Sequence, residues 1–186
     1  MGGRRLLSDS HLAMFALLTK VAGGIAILAN AAGTFVIIAL IAVVNYDIVA
    51  RGVFDKPFLG AVEVVQFSMV LIVFLQLPDV VRVGRLTRSD GFLGLMTRKH
   101  PPVGTAAHRL IDGVSAVFMI LVAVAIWPEF VEMYESQDFF GVPGVFTAPW
   151  WPVKLVIFLS ACLCTVLFLI RVVLPAHLAA TLRSDT

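Results

Sequence analysis

Four long apolar runs, Val21 to Val44, Leu59 to Leu77, Leu110 to Trp127 and Leu155 to Leu174, constrain this chain more than any other feature. Each is close to the length that a hydrocarbon core of roughly 30 Å demands of a helix rising about 1.5 Å per residue. A barrel strand would alternate apolar and polar residues over about ten positions, and Phe35-Val36-Ile37-Ile38-Ala39-Leu40-Ile41 does not. Lipid offers the backbone no hydrogen-bond partner, so such a span closes its own bonds as a helix whatever its β-branched content. With 60% hydrophobic and 14% charged residues, the spans and their connections use nearly the whole length and leave no room for a folded soluble domain. The expected fold is an all-α integral membrane protein, a single membrane domain over residues 1–186 with four transmembrane helices and short amphipathic interfacial helices.

The basic residues set an expected orientation. Arg4, Arg5 and Lys20 precede the first span, Arg82, Arg85, Arg88, Arg98, Lys99 and Arg109 lie between the second and third, and Arg171 and Arg183 close the last. The opposite side receives Arg51, Lys56 and Lys154, and its second loop carries Glu129, Glu132, Glu135 and Asp138 with no basic residue between them. The positive-inside bias therefore predicts both termini in the cytoplasm. Tyr46, Phe54 and Phe58, then Trp127, Phe130, Tyr134, Trp150 and Trp151, fall where an outer aromatic belt belongs. Two cytoplasmic stretches, Asp9 to Lys20 and Ser89 to Lys99, place apolar residues at three- and four-residue spacing and suit the headgroup plane. His100-Pro101-Pro102 breaks the second of these, and Pro143-Gly144 with Pro149-Trp150-Trp151-Pro152 makes the second outer loop turn-rich and ordered. Pro78, Pro128, Pro152 and Pro175 are read as helix ends. Ala29-Asn30-Ala31 has the small-x-small form of a cleavage site, but the apolar run continues from Thr34 to Val44, so a signal peptide is not the reading.

A search for chemistry narrows the function by what it excludes. The four histidines, His11, His100, His108 and His177, all lie in flanks, whereas a membrane haem needs an imidazole inside the bundle. No phosphate loop, nucleophile elbow, zinc-protease motif or C-x-x-C pair occurs, so no enzyme is expected. Cys162 and Cys164 point about 200° apart on a helix and cannot pair with each other. Transporter sites usually use paired helix breaks, and Gly23, Gly24 and Gly33 have no counterpart in another span. Small pairs such as Ser160 and Cys164 permit close helix approach.

Glu63, one turn into the second span, is the ionisable residue with two readings: a proton or ion ligand, or half of an Arg51–Glu63 pair that fixes the first outer turn. The pair is the preferred reading, since carboxylates taken out of water tend to be partnered. Asp112 is read as a helix-start carboxylate of the third span. Asn30, Asn45, Gln66 and Gln76 are of the type that bridges helices.

Three stretches together carry a resemblance. The first is Asn45-Tyr46-Asp47-Ile48-Val49-Ala50-Arg51-Gly52-Val53-Phe54 followed by Gly60-Ala61-Val62-Glu63. The second is Arg82-Val83-Gly84-Arg85-Leu86-Thr87-Arg88-Ser89-Asp90, and the third runs from Gly141-Val142-Pro143 to Pro149-Trp150-Trp151-Pro152. In order and spacing the chain resembles the four-helix small membrane subunit of tripartite ATP-independent periplasmic (TRAP) transporters. It departs at Leu86-Thr87, where that family often has a His-hydrophobic pair. The resemblance implies a non-catalytic subunit of a bacterial inner membrane that binds no solute and no cofactor. Its implied partners are the bilayer, a large elevator-type transport subunit that carries the sodium, and a periplasmic protein that delivers a small, carboxylate-bearing solute; nucleic acid is not among them. Arg51, Glu63, Arg82, Arg85, Arg88 and Asp90 become candidates for assembly, and Tyr46, Phe54, Trp150 and Trp151 for partner docking. The alternative class is a membrane anchor of a redox complex, holding a haem or quinone.

Overall fold

The computed structural model of the chain describes residues 3–56, 58, 60–84, 101–142 and 146–173. The elements are α1 (Gly3–Phe54), α2 (Ala61–Val83), α3 (Pro101–Ser136), β1 (Phe139–Val142), β2 (Phe146–Pro149) and α4 (Trp151–Val173). All four helices contain a segment long and apolar enough to cross a membrane. The spans expected from hydropathy are therefore present, and the protein is a four-helix, multi-pass membrane protein. The helices run up and down, so Lys20, Val83, Pro101 and Val173 share one end of the bundle, here called the terminal end. Phe54, Ala61, the β1–β2 hairpin and Trp151 share the other, the hairpin end.

The helices outrun the apolar runs that specify them. At about 1.5 Å per residue, the 52 residues of α1 extend well beyond a hydrocarbon core at both ends, and the stretch from Asp9 to Lys20 is part of this one helix rather than a separate element. The second amphipathic stretch, Ser89 to Lys99, lies outside the described residues. Helix stops come from backbone geometry: α1 is followed by Asp55 (φ 52°), α2 by Gly84 (φ 74°) and α3 by Gln137 (φ 54°). A left-handed residue turns the chain out of the helix and lets following groups reach the last free carbonyls. Gly84 N–H bonds the carbonyls of Val80 and Val81 at 3.1 Å each, and Gln137 Nε2 donates to the Tyr134 carbonyl at 2.7 Å.

Two of the prolines read as helix ends are not ends. Pro78 lies inside α2 and Pro128 inside α3. Each removes one backbone hydrogen bond, but ending a helix there would expose several backbone groups at once, and Pro78 is fully buried against its neighbours. Pro152 does fall in the first turn of α4, and α3 opens on Pro101, where the missing N–H costs nothing. Asp112 is also corrected: it lies about three turns inside α3, buried at 8% exposure and engaged with neighbours, because α3 begins well before its apolar run does.

Helix α4 is the centre of the bundle. It packs most extensively on α3 and also on α2, while α1 packs mainly on α2. A third of the span residues in α4 are buried (33%), against 6% in α1, 11% in α2 and 6% in α3. The core lies toward the terminal end, where Ala22, Val81, Ala116, Cys164, Leu167 and Phe168 meet. Small side chains on three of the helices let the backbones close around Phe168, which is 1% exposed. Helix α1 approaches α2 closely at Gly33, where a Cβ would meet Gln76 Cγ at 2.9 Å and Leu75 Cβ at 3.2 Å.

Candidate functional site

Polar side chains gather at both ends of the bundle. At the terminal end, Asp79 of α2 accepts Arg82 Nε on Oδ1 at 2.8 Å and Asn30 Nδ2 of α1 on Oδ2 at 3.1 Å. The Arg82 and Asp79 side chains are 24% and 17% exposed. Arg171 of α4 places one guanidinium nitrogen against the carbonyls of Val81 and Arg82, the latter at 3.2 Å. These carbonyls belong to the last turn of α2, where the N–H of Gly84 reaches Val81 and the negative end of the helix dipole lies, so a cation from α4 adds a second donor there and meets the dipole. One knot thus ties α1, α2 and α4 together directly beside the apolar core. Arg82, one of the assembly candidates, is used here within the chain, in its bond to Asp79; Arg85, Arg88 and Asp90 lie outside the described residues. Asn30 bridges helices as its type suggested, while Asp79 and the bonding role of Arg171 were not among the residues singled out from sequence.

At the hairpin end, the turn between α1 and α2 is organised by Asp47. Its Oδ2 accepts Arg51 Nη2 at 2.9 Å, one helical turn away, and its Oδ1 accepts the backbone N–H of Phe58 at 2.8 Å. Arg51 is therefore paired with Asp47 and not with Glu63. The reason is helical spacing: α1 continues to Phe54, so i and i+4 side chains are held on one face, whereas Glu63 sits on the next helix. Glu63 occupies the first turn of α2, where a carboxylate meets the positive end of the dipole. Gly60, with φ 102°, turns the chain into that helix; a side chain there would be strained. Tyr46 meets Phe58 edge to face, with centroids 6.4 Å apart, and Tyr46 and Phe54 are both exposed.

The second outer connection is a hairpin. β1 and β2 pair antiparallel with Phe139 opposite Pro149 and Val142 opposite Phe146, and Trp150 N–H donates to the Asp138 carbonyl at 3.2 Å to close its base. Trp150 packs against Phe140 with the ring planes tilted by 60° (4.8 Å) and Trp151 meets Tyr134 edge-on (6.1 Å). Both tryptophans are half-buried; the Trp150 contact lies within the hairpin and its base, and the Trp151 contact joins α4 to α3. Lys154 of α4 bonds Glu129 of α3 at 2.8 Å. Among the described residues, no three His, Cys, Asp or Glu side chains are grouped so as to hold a metal ion.

A family model described as Tripartite ATP-independent periplasmic transporters, DctQ component, matches residues 40–177. The chain belongs to this family. It is a small permease component of a TRAP transporter, which agrees with the resemblance carried by the Asn45–Phe54 and Gly141–Pro152 stretches and leaves the redox-anchor alternative without support. No curated protein and no solved structure matches the chain significantly. The match to the DctQ family begins within α1 and takes in the Asp47 turn, the hairpin, Asp79, Arg82 and Arg171; Asn30, the contribution of α1 to the terminal knot, precedes it.

Proposed function

We propose that this DctQ component is a stationary scaffold in the inner membrane, with both termini in the cytoplasm, against which a large elevator-type subunit moves a small carboxylate-bearing solute. A periplasmic binding protein delivers the solute at the hairpin end, and sodium binds the large subunit. The observation that carries this reading is the openness of the outer helices. Leu28, Phe35, Ile38 and Ile41 on α1 and Val117, Phe118, Leu121 and Val124 on α3 are all exposed large apolar side chains, a surface suited to lipid on one side and partner helices on another. The interior supports it too. Apart from Asp112, buried within α3, the charged side chains in the described spans stand toward their ends; the knot and the Lys154–Glu129 pair join helices, and Asp47 holds the turn between α1 and α2. An elevator needs a fixed element of wide lateral area beside its moving domain. The test is reconstitution: uptake into proteoliposomes is expected with the large subunit and binding protein present and absent with this chain alone. Solute flux through this chain by itself would overturn the scaffold reading.

A further inference from the structure

The seam between α3 and α4 opens outward in a slot of about 550 Å³. Ile120, Ala123, Val124 and Trp127 form one wall. On the other, Phe158, Cys162 and Val166 follow one another at four-residue spacing, which continues the face that begins at Lys154. Thr165 also borders the slot, but its hydroxyl is given to the Ala161 carbonyl at 2.8 Å, so the lining presents hydrocarbon. Two dimensions limit what fits. Twelve residues from Val166 to Lys154 span about 18 Å, which matches one leaflet, about half of a roughly 30 Å core. The width is that between two helices already in contact, and the wall is bulky apart from Ala123 and Cys162. A third helix approaches closely only over small residues; an extended alkyl chain has no such requirement.

The mouth of the slot adds a chemical constraint. Trp127 and Phe158 pack there with centroids 5.0 Å apart, at the level where aromatic side chains meet lipid headgroups. Immediately beyond, Lys154 Nζ and Glu129 Oε2 stand 2.8 Å apart, with the carboxylate side chain 52% exposed. A headgroup arriving here meets a cation and an anion side by side. A zwitterionic headgroup matches both, its phosphate toward Lys154 and its ammonium toward Glu129. A purely anionic lipid instead meets the Glu129 carboxylate beside Lys154, at an end of α3 that also carries the exposed Glu132 and Glu135.

We infer that the α3–α4 seam is a binding slot for one acyl chain of a phosphatidylethanolamine-type phospholipid from the hairpin-side leaflet, its headgroup held by the Lys154–Glu129 pair. The test uses the full-length chain in mixed vesicles that contain a trace of phosphatidylethanolamine or phosphatidylglycerol with a photoactivatable acyl chain, followed by peptide mass spectrometry. The ethanolamine lipid is expected to label residues 120–127 and 158–166 several-fold more than the outward faces of α1, and several-fold more than the glycerol lipid does. Ala123→Trp, with helical content checked by circular dichroism, should abolish that enrichment, and Glu129→Gln should bring the two lipids close to parity. Even labelling around all four helices, equal labelling by both lipids in the unaltered chain, or enrichment unchanged by Ala123→Trp would overturn the proposal. So would efficient cross-linking of p-benzoylphenylalanine at Val124 to the large subunit in the assembled complex, since the slot would then be a protein interface.

Discussion

Single side chains decide how this bundle is held, and their contributions can be ranked by what each would leave behind. Asp79 serves two donors on two elements, so Asp79→Ala strands the Arg82 guanidinium and the Asn30 amide in a partly buried setting. The expected loss is about 1–3 kcal/mol, read as a lower midpoint of denaturant or thermal unfolding in detergent; Asp79→Asn, which keeps an acceptor oxygen, should lose less. Gly33→Ala tests the opposite failure. Its Cβ would fall 2.9 Å from Gln76 Cγ and 3.2 Å from Leu75 Cβ, neither of them the free end of a side chain, so α1 and α2 must separate at an overpacking cost of about 1–3 kcal/mol. Gly24→Ala is the control: its Cβ would meet nothing within 4 Å, and the better helix propensity of Ala should leave stability unchanged or slightly raised. Equal loss from both glycine variants would show that the α1–α2 contact is not the limiting one.

At the scale of elements, the α1–α2 turn depends on one carboxylate more than on its cationic partner. The Arg51 side chain is 63% exposed and Asp47 only 13%, and exposed ion pairs contribute little. Arg51→Ala should therefore be mild. Asp47→Ala also frees the Phe58 N–H and should loosen the turn, seen as faster proteolytic cleavage between residues 55 and 60; the reverse ranking would contradict the role given to Asp47. The same turn shows where sequence reading stops. Hydropathy locates the centre of each span because about 30 Å of hydrocarbon must be crossed, but it is silent on where a helix continues into the interface. Ending α1 at Val44 puts Asp47 and Arg51 in a loop and makes a pair with Glu63 attractive; once α1 runs to Phe54, helical spacing makes Asp47 the obvious partner. Ending α2 at Leu77 hides Asp79 and Arg82 in the same way. The hairpin was more legible than the expectation of a turn-rich loop allowed, since Phe139-Phe140-Gly141-Val142 and Phe146-Thr147-Ala148 flank a Pro-Gly turn signal.

For the whole molecule, the consequential property is sidedness, because the hairpin can meet a periplasmic protein only if it faces outward. Charge bears on this independently of packing: by sequence, eleven of the fourteen Lys and Arg belong to the flanks and connection of the terminal side and three to those of the hairpin side, and the positive-inside bias then predicts a cytoplasmic terminal end. The knot gives the bias a structural counterpart, since Arg82 and Arg171 both fix the terminal end of α2. Orientation is measurable with an impermeant maleimide on intact cells. Asp138→Cys, at the exposed base of the hairpin, should label from outside, whereas Val103→Cys, exposed in the first turn of α3, should label only after the inner membrane is permeabilised. The native Cys162 and Cys164 lie within α4 and should stay unlabelled in both arms, so no cysteine-free background is needed. Labelling of Val103→Cys in intact cells, with Asp138→Cys protected, would invert the topology. The hairpin and its tryptophans would then face the cytoplasm, and docking of a periplasmic partner there would be ruled out.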